Sequence, residues 1–430
     1  MIEIFFILGL TILMGFLSLW ILDRTRISQI IVLIAFGFLL GPILGIVDVS
    51  QSSIIVSLLP FLSTLALIVL LFDSGLTIDI FSVAKAIPKS TLYTVIVFVI
   101  SVLAVAAIAH FILGYEILQG ILLGAVLGGT CSAIVGSAVE HSNITKNTKS
   151  LLTLESTMTD ALCIIVAVLV IGLIASNQIP DVPTIANMIL SSFSIAMLIG
   201  IISAIAWIYA ISNVGLEKYS YMLTLALVFG LYAGVELVKA NGGVAIFTFG
   251  MILGNARELG RLLKLRKEVV VNPTIRLFQE EITFFVRTFF FVYIGLLITP
   301  QYFNIFTVGV GLGIIAVFFL IRRGVQKLVL NGIEKTDQNV VSILMPRGLA
   351  AAVLATMPLS GGIRIDGFTQ MIFAVIILSN IAATIGIFIF DKKEEQKTND
   401  PQKDLENAVE EADSKKETKE DQIEKIIEKE

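Results

Sequence analysis

Thirteen apolar stretches run along residues 1–390, at about 2–22, 27–46, 54–74, 91–113, 118–139, 151–175, 184–211, 219–238, 242–255, 278–299, 304–321, 338–358 and 367–390; the ninth is short and the second tight, so twelve spans is the alternative count. A hydrocarbon core about 30 Å thick takes about 20 helical residues to cross. Inside it every backbone amide and carbonyl must be satisfied within the protein, which leaves helices and closed barrels. These runs are continuous rather than alternating, so a barrel is excluded. The fold class is an all-α polytopic membrane protein with about 13 transmembrane helices. Composition agrees: 56% of residues are hydrophobic and 15% charged, against about 25% charged in soluble domains. The first stretch, MIEIFFILGLTILMGFLSLWIL, lacks a basic n-region and reads as a retained helix rather than a cleaved signal. Cys131 and Cys163 lie inside apolar segments and form no disulfide framework.

Charge sets the orientation. Loops after odd-numbered spans carry 17 Lys and Arg, Arg322 and Arg323 among them; loops after even-numbered spans carry only Lys239 and Arg364. By the positive-inside rule the N-terminus lies outside and the C-terminus in the cytoplasm of a cell (inner) membrane. Residues 1–390 form the transmembrane domain, with net charge +2; 391–430 form a charged cytoplasmic tail of −6, in which Ile423, Ile426 and Ile427 offer one short amphipathic turn. The basic loop 256–277 reads as an interfacial helix against anionic membrane lipid, ending at Asn272-Pro273.

Within the apolar run 151–175 stand Glu155, Ser156, Thr159 and Asp160. A carboxylate at the bilayer centre costs about 2.5–3.5 kcal/mol, so such residues mark ion or proton pathways. Ser156 and Asp160 are four apart and share a helix face, which offers a hydroxyl and a carboxylate to a hard cation. Two spans look interrupted: the fifth at Gly128-Gly129 within GAVLGGTCSAIVGSAV, the twelfth at Pro346 and Gly348, which flank Arg347. They hold matching places if spans 1–6 and 8–13 are two six-helix halves inverted about span seven, with the substrate where two broken helices cross. Asp160, Arg347 and Arg287 each lie about nine residues into their spans, about 14 Å deep at 1.5 Å per residue. Thr130 and Cys131 approach that level from the other side. Buried charges need partners, so Glu155 is expected to pair with Arg347 or Arg287, leaving Asp160 to titrate and bind ions. Asp73, closing span three, reads either as a site ligand or as a helix-end residue. Glu236, His110 and His141 read as span-end residues. No zinc spacing, nucleotide loop or nucleophile constellation occurs, and no nucleic-acid surface, so neither an enzyme nor a cofactor is expected.

The ordered motifs GFLLGPILG, LLFDSGLTID, LLGAVLGGTCSAIV, LESTMTDA, GGVAIFTFGMILGN, FFFVYIGLLI and MPRGLAAAVLA resemble those of the monovalent cation:proton antiporters, NhaP-type branch, across nearly all of 1–390. The resemblance implies an NhaA-like fold of two inverted repeats with crossed discontinuous helices, and a homodimer with dimerisation and core domains. It implies Asp160 as the carrier of ion and proton, with Ser156, the Thr130 carbonyl and Asp73 as further ligands, and Glu155 with Arg347 as a structural ion pair. The chain departs from that family at Thr159, where Asn or Asp is common, and at Cys131, where an acid is common. Its site is therefore less anionic than the usual pattern.

The function expected is exchange of a monovalent cation (Na+ first, K+ or Li+ as alternatives) for H+, one for one and electroneutral, serving pH homeostasis. Two rivals stay open: a sodium-coupled organic-anion symporter of similar fold, and a channel or membrane sensor with a partner-binding tail.

Overall fold

The structure, a computed structural model, describes residues 2–25, 27–47, 59–78, 80, 88–140, 142, 144–175, 182–214, 220–262, 273–298, 303–330, 334–360 and 362–398. These residues are helical throughout apart from short connections. In chain order the helices are α1 (Ile2–Thr25), α2 (Gln29–Phe38, continued by a π-helical turn Leu39–Ile43 that contains Pro42), α3 (Leu59–Thr77) and α4 (Pro88–Leu113). Next come α5 (Ile117–Leu127), α6 (Ser132–Glu140), α7 (Lys146–Ala175), α8 (Val182–Val214), α9 (Ser220–Leu237) and α10 (Gly242–Gly254). The last are α11 (Ala256–Leu262), α12 (Pro273–Leu297), α13 (Ile305–Val329), α14 (Lys335–Ile343), α15 (Leu349–Ser360) and α16 (Phe368–Thr398). Among the described residues, segments of α3, α4, α7, α8, α9, α13 and α16 are long and apolar enough to cross a membrane, and five shorter helices are apolar. The chain is a polytopic helical membrane protein.

Side chains outside the packed interior stay apolar, as lipid-facing helices require: Phe16, Trp20, Leu103, Phe111, Ile202, Tyr209, Leu320 and Phe388 are all exposed. The main core is built where α3 lies along α10 and α15, α12 along α2, and α5 along α4 and α7. The helix α10 comes from the glycine-rich segment GGVAIFTFGMILG. A Cβ on Gly250 would meet the backbone of Phe72, and one on Gly254 the backbone of Leu76. This GxxxG spacing lets two backbones approach closely, the main source of helix adhesion where lipid removes the hydrophobic driving force. Asn255, buried just beyond α10, fastens the end of α3: its amide donates to Ile78 O at 2.7 Å and its carbonyl accepts from Ile80 N at 3.0 Å. The turn of α3 that bears Asp73 is thus clamped on both sides.

Lesser expectations find local explanations. Glu236 accepts from Gly242 N at 2.9 Å, at the start of α10, and the His110 ring shares a hydrogen bond with Tyr115 O at 2.8 Å. The loop 256–277 contains α11, but its continuation 263–272, His141 and the amphipathic turn of the tail lie outside the described residues.

If the α3–α10 seam depends on missing side chains, Gly254→Leu should cost about 1–3 kcal/mol through overpacking. Gly309→Leu on α13, where no atom lies within 4 Å of the added Cβ, should be neutral. Thermal unfolding of the purified protein in detergent checks both.

Candidate ion site at two crossed helix breaks

Two helices open where the sequence withholds helix formers. Residues 128–131 separate α5 from α6, and 344–348 separate α14 from α15. Gly128, Gly129 and Gly348 weaken a helix, and Pro346 removes a donor. An open turn frees backbone groups that hydrocarbon cannot solvate, so each needs a partner. Cys131 N donates to Pro346 O at 2.8 Å, so the two breaks touch. Thr130 N donates to Thr159 Oγ1 at 3.1 Å. Ser132 N donates to the Asp160 carboxylate at 3.2 Å. Arg347 N donates to Ser379 Oγ at 3.1 Å, and Arg347 O accepts from Asn380 Nδ2 at 2.7 Å. Gly129 O accepts from the Arg347 guanidinium. A Cβ on Gly348 would strike the Cys131 side chain, so the two breaks pack closely.

Electrostatics follow the half-helices. Arg347, 2% exposed, sits at the C-terminal end of α5, where partial negative charge collects, and its guanidinium carbon lies 4.2 Å from the Phe318 ring centroid. Asp160 sits at the N-terminal end of α6, where free amides favour an anion. The breaks thus hold a fixed cation at one helix end and a carboxylate at another.

Glu155, Ser156 and Thr159 are each 1% exposed, whereas Asp160 is only partly buried. An accessible stripe runs along α7 through Thr153, Thr157 and Asp160, at i, i+4 and i+7, and continues onto exposed Ser132. Beyond Asp160 the same stripe is closed by buried Ile164 and Ala167. The accessible positions of this stripe therefore lie on the N-terminal side of Asp160 along α7. Asp73, also partly exposed, lies within electrostatic range of Asp160, Arg287 and Glu280. Asp160 is in range of Arg287 and Arg347. Asp73, Asp160, Thr130, Cys131, Arg287 and Arg347 therefore gather at one locality. The expected hydroxyl ligand Ser156 and its neighbour Thr159 are turned elsewhere. Ser156 Oγ donates to Thr153 O at 3.1 Å on its own helix, and Thr159 Oγ1 holds the break by accepting from Thr130 N.

The pairing of Glu155 with Arg347 or Arg287 is corrected. Glu155 is bridged on both carboxylate oxygens by Arg322, whose Nη2 lies at 3.0 Å and whose Nε donates to Val341 O at 2.8 Å. The physical cause is helix length. Span eleven was expected to stop at 321, with Arg322 as a loop cation, but α13 continues to Val329 and carries Arg322 into the protein at 2% exposure. Arg347 then binds a carbonyl and an aromatic face instead. Sequence reasoning also passed over Ser379 and Asn380, two adjacent polar residues in the apolar run of α16; the criterion that singled out 155–160 applies equally to them.

The model for the transmembrane sodium/hydrogen exchanger matches residues 9–393. The chain belongs to that family. This exchanger-family chain is 24% identical over 382 residues to the K(+)/H(+) antiporter NhaP of Alkalimonas amylolytica, covering 87% of this chain and 63% of that protein. It is 25% identical over 404 residues to Na(+)/H(+) antiporter 1 of Methanocaldococcus jannaschii, covering 89% and 90%. The chain spans about half to two thirds of the length of its potassium/proton relatives, at 63% for NhaP and 51% for NhaP2 of Shewanella sp. strain ANA-3. The structure of the sodium proton antiporter MjNhaP1 from M. jannaschii at pH 8 shares its fold, with a TM-score of 0.71 at 21% identity over 91% of this chain and 98% of that one.

Arg322→Met should destabilise the protein by about 3–5 kcal/mol by stranding the Glu155 carboxylate, and Glu155→Leu combined with it should recover most of that loss. Thermal unfolding of single and double variants measures the coupling; additive losses would contradict the pairing.

Proposed function

We propose that this chain is a secondary active antiporter that exchanges one monovalent cation for one proton across a cell membrane. The observation that carries it is the state of Asp160: a partly buried acid beside two touching helix breaks, its carboxylate hydrogen-bonded by the amide and side chain of Ser132, with no ion pair among the described residues. Its neighbour Glu155 is already matched by Arg322. A lone carboxylate in that setting binds a proton or a cation, and either neutralises it. Since one occupant excludes the other, binding couples the two fluxes, and the cost of moving the empty charged site through an apolar barrier suppresses leak. The named activities of the relatives, Na(+)/H(+) and K(+)/H(+) antiport, support this chemistry.

In this reading Asp160 is the shared site, with the Thr130 break and Asp73 contributing from facing elements. The cargo is sodium first, with potassium and lithium as the competing alkali ions. Thirteen spans form two inverted six-helix halves about α8, and alternating access moves the crossed breaks relative to α3 and α12 in a homodimer. The N-terminus lies outside and residues 391–430 in the cytoplasm. The accessible stripe on α7 then opens to the cytoplasm, so the conformation faces inward. Net charge moved per cycle is zero in this reading, because Asp160 alone carries the exchanged proton: Thr159 and Cys131 add no acid beside it, and Asp73 on the facing α3 acts as a ligand.

Asp160→Asn keeps the shape of the side chain and removes the exchangeable charge. In proteoliposomes under a cation gradient it should lower proton movement by about 10²-fold or more, as loss of a reacting group does. Retained exchange would refute the assignment.

A further inference from the structure

Outside the ion site, one buried carboxylate is unused by the mechanism above. Asp337 lies in the first turn of α14 and is 1% exposed. A buried ionised carboxylate is costly unless it is strongly hydrogen-bonded. Its Oδ2 accepts three hydrogen bonds, all from the start of α7: Thr145 Oγ1 at 2.5 Å, Thr148 Oγ1 at 2.7 Å and Thr145 N at 3.3 Å. Thr145 in turn caps α7 by accepting from Thr148 N at 3.4 Å. One carboxylate thus serves the N-terminal ends of two helices at once, where both macrodipoles favour an anion.

Those two helices are the ones whose heights must agree. From Thr148, α7 reaches Glu155 after about 10 Å and Asp160 after about 18 Å, at 1.5 Å per residue. Alongside it, α14 runs from Asp337 through Val341, which accepts from Arg322, to the break that holds Pro346 and Arg347. Three cross-ties join these tracks. The innermost is the touching breaks, where Thr159 holds Thr130 N and Pro346 O holds Cys131 N. The middle one is Glu155–Arg322–Val341. The outermost is Asp337 with Thr145 and Thr148. The two inner ties fix the middle of α7, and the outer tie is the one that holds its start against α14, so its loss loosens the register on which the height of Asp160 depends.

We propose that Asp337 is a positioning residue for cation exchange: from the membrane-proximal end of α14 it fixes the axial register of α7, and so the height of Asp160 at the crossing. The inference rests on the antiport reading, through the role given there to Asp160.

The test compares wild type, Asp337→Ala, Asp337→Asn and Thr148→Val in proteoliposomes, with initial exchange rates over a series of Na+, K+ and Li+ concentrations and melting midpoints of the same preparations. A small misplacement of a reacting group is felt strongly, so Asp337→Ala should raise the cation KM by about tenfold, with kcat within about twofold. Asn still offers one oxygen to the two hydroxyls, and Asp337→Asn should recover most of the lost affinity. Thr148→Val, which deletes one of the three bonds, should fall between. If Asp337→Ala does not fold, Asp337→Asn and Thr148→Val decide by the same KM shift. An unchanged KM with only a lowered melting midpoint overturns the proposal, since a purely structural cap moves stability alone. Wild type that exchanges none of the three cations sinks the antiport reading instead. The cation-induced shift in melting midpoint then reads site affinity without transport, and equal shifts in wild type and variants overturn the role of Asp337.

Discussion

Two carboxylates five residues apart on α7 meet the same constraint in opposite ways, and much of the interior follows from the difference. An apolar slab penalises any bare charge, so a carboxylate there is paired, hydrogen-bonded or neutralised. Glu155 is paired: Arg322 occupies both its oxygens and extends its third donor to Val341 O. Asp160 has only the amide and side chain of Ser132, at the start of a half-helix, and is partly buried. In the proposed mechanism an exchangeable occupant satisfies the charge that remains. The fixed partner of the first acid leaves the second available.

The breaks serve the same end. A continuous helix has no free amide in its middle, so an anion there finds nothing to hold it. Opening α5–α6 and α14–α15 side by side supplies amides and carbonyls, and their contact lets each break satisfy the other. Arg347 belongs to this backbone accounting rather than to an ion pair with Glu155. Its cation is placed on a carbonyl and on the face of Phe318. The facing wall, α3 on α10, is drawn close by Gly250 and Gly254, which sets Asp73 and its surroundings in a rigid frame.

Much of this was legible in the sequence, and the misses have physical causes. Hydropathy marked where the helices run, because an apolar solvent leaves few alternatives. The breaks at 128–131 and 344–348 were visible because Gly and Pro act locally. The acidic cluster was visible because a charge in an apolar run is conspicuous. The partner of Glu155 was misread, since a basic residue at the end of an apolar run looks the same whether it marks the interface or continues into the protein. Choosing between Arg322 and Arg347 requires knowing how far α13 extends and which helices it meets, which is tertiary information. The orientations of Ser156 and Thr159 were hidden for a similar reason: face-sharing places a hydroxyl near a carboxylate but does not say which acceptor it selects.

The central claim is that one carboxylate holds either a cation or a proton. The most direct measurement is the cation dependence of exchange rate across a series of pH values, in proteoliposomes with the membrane potential clamped. A single shared site predicts that the cation KM rises as pH falls, approaching tenfold per pH unit once the proton is the dominant occupant, while the rate at saturating cation converges on one value. A KM that stays constant while the saturating rate falls would show that proton and cation occupy separate sites, and would contradict the account.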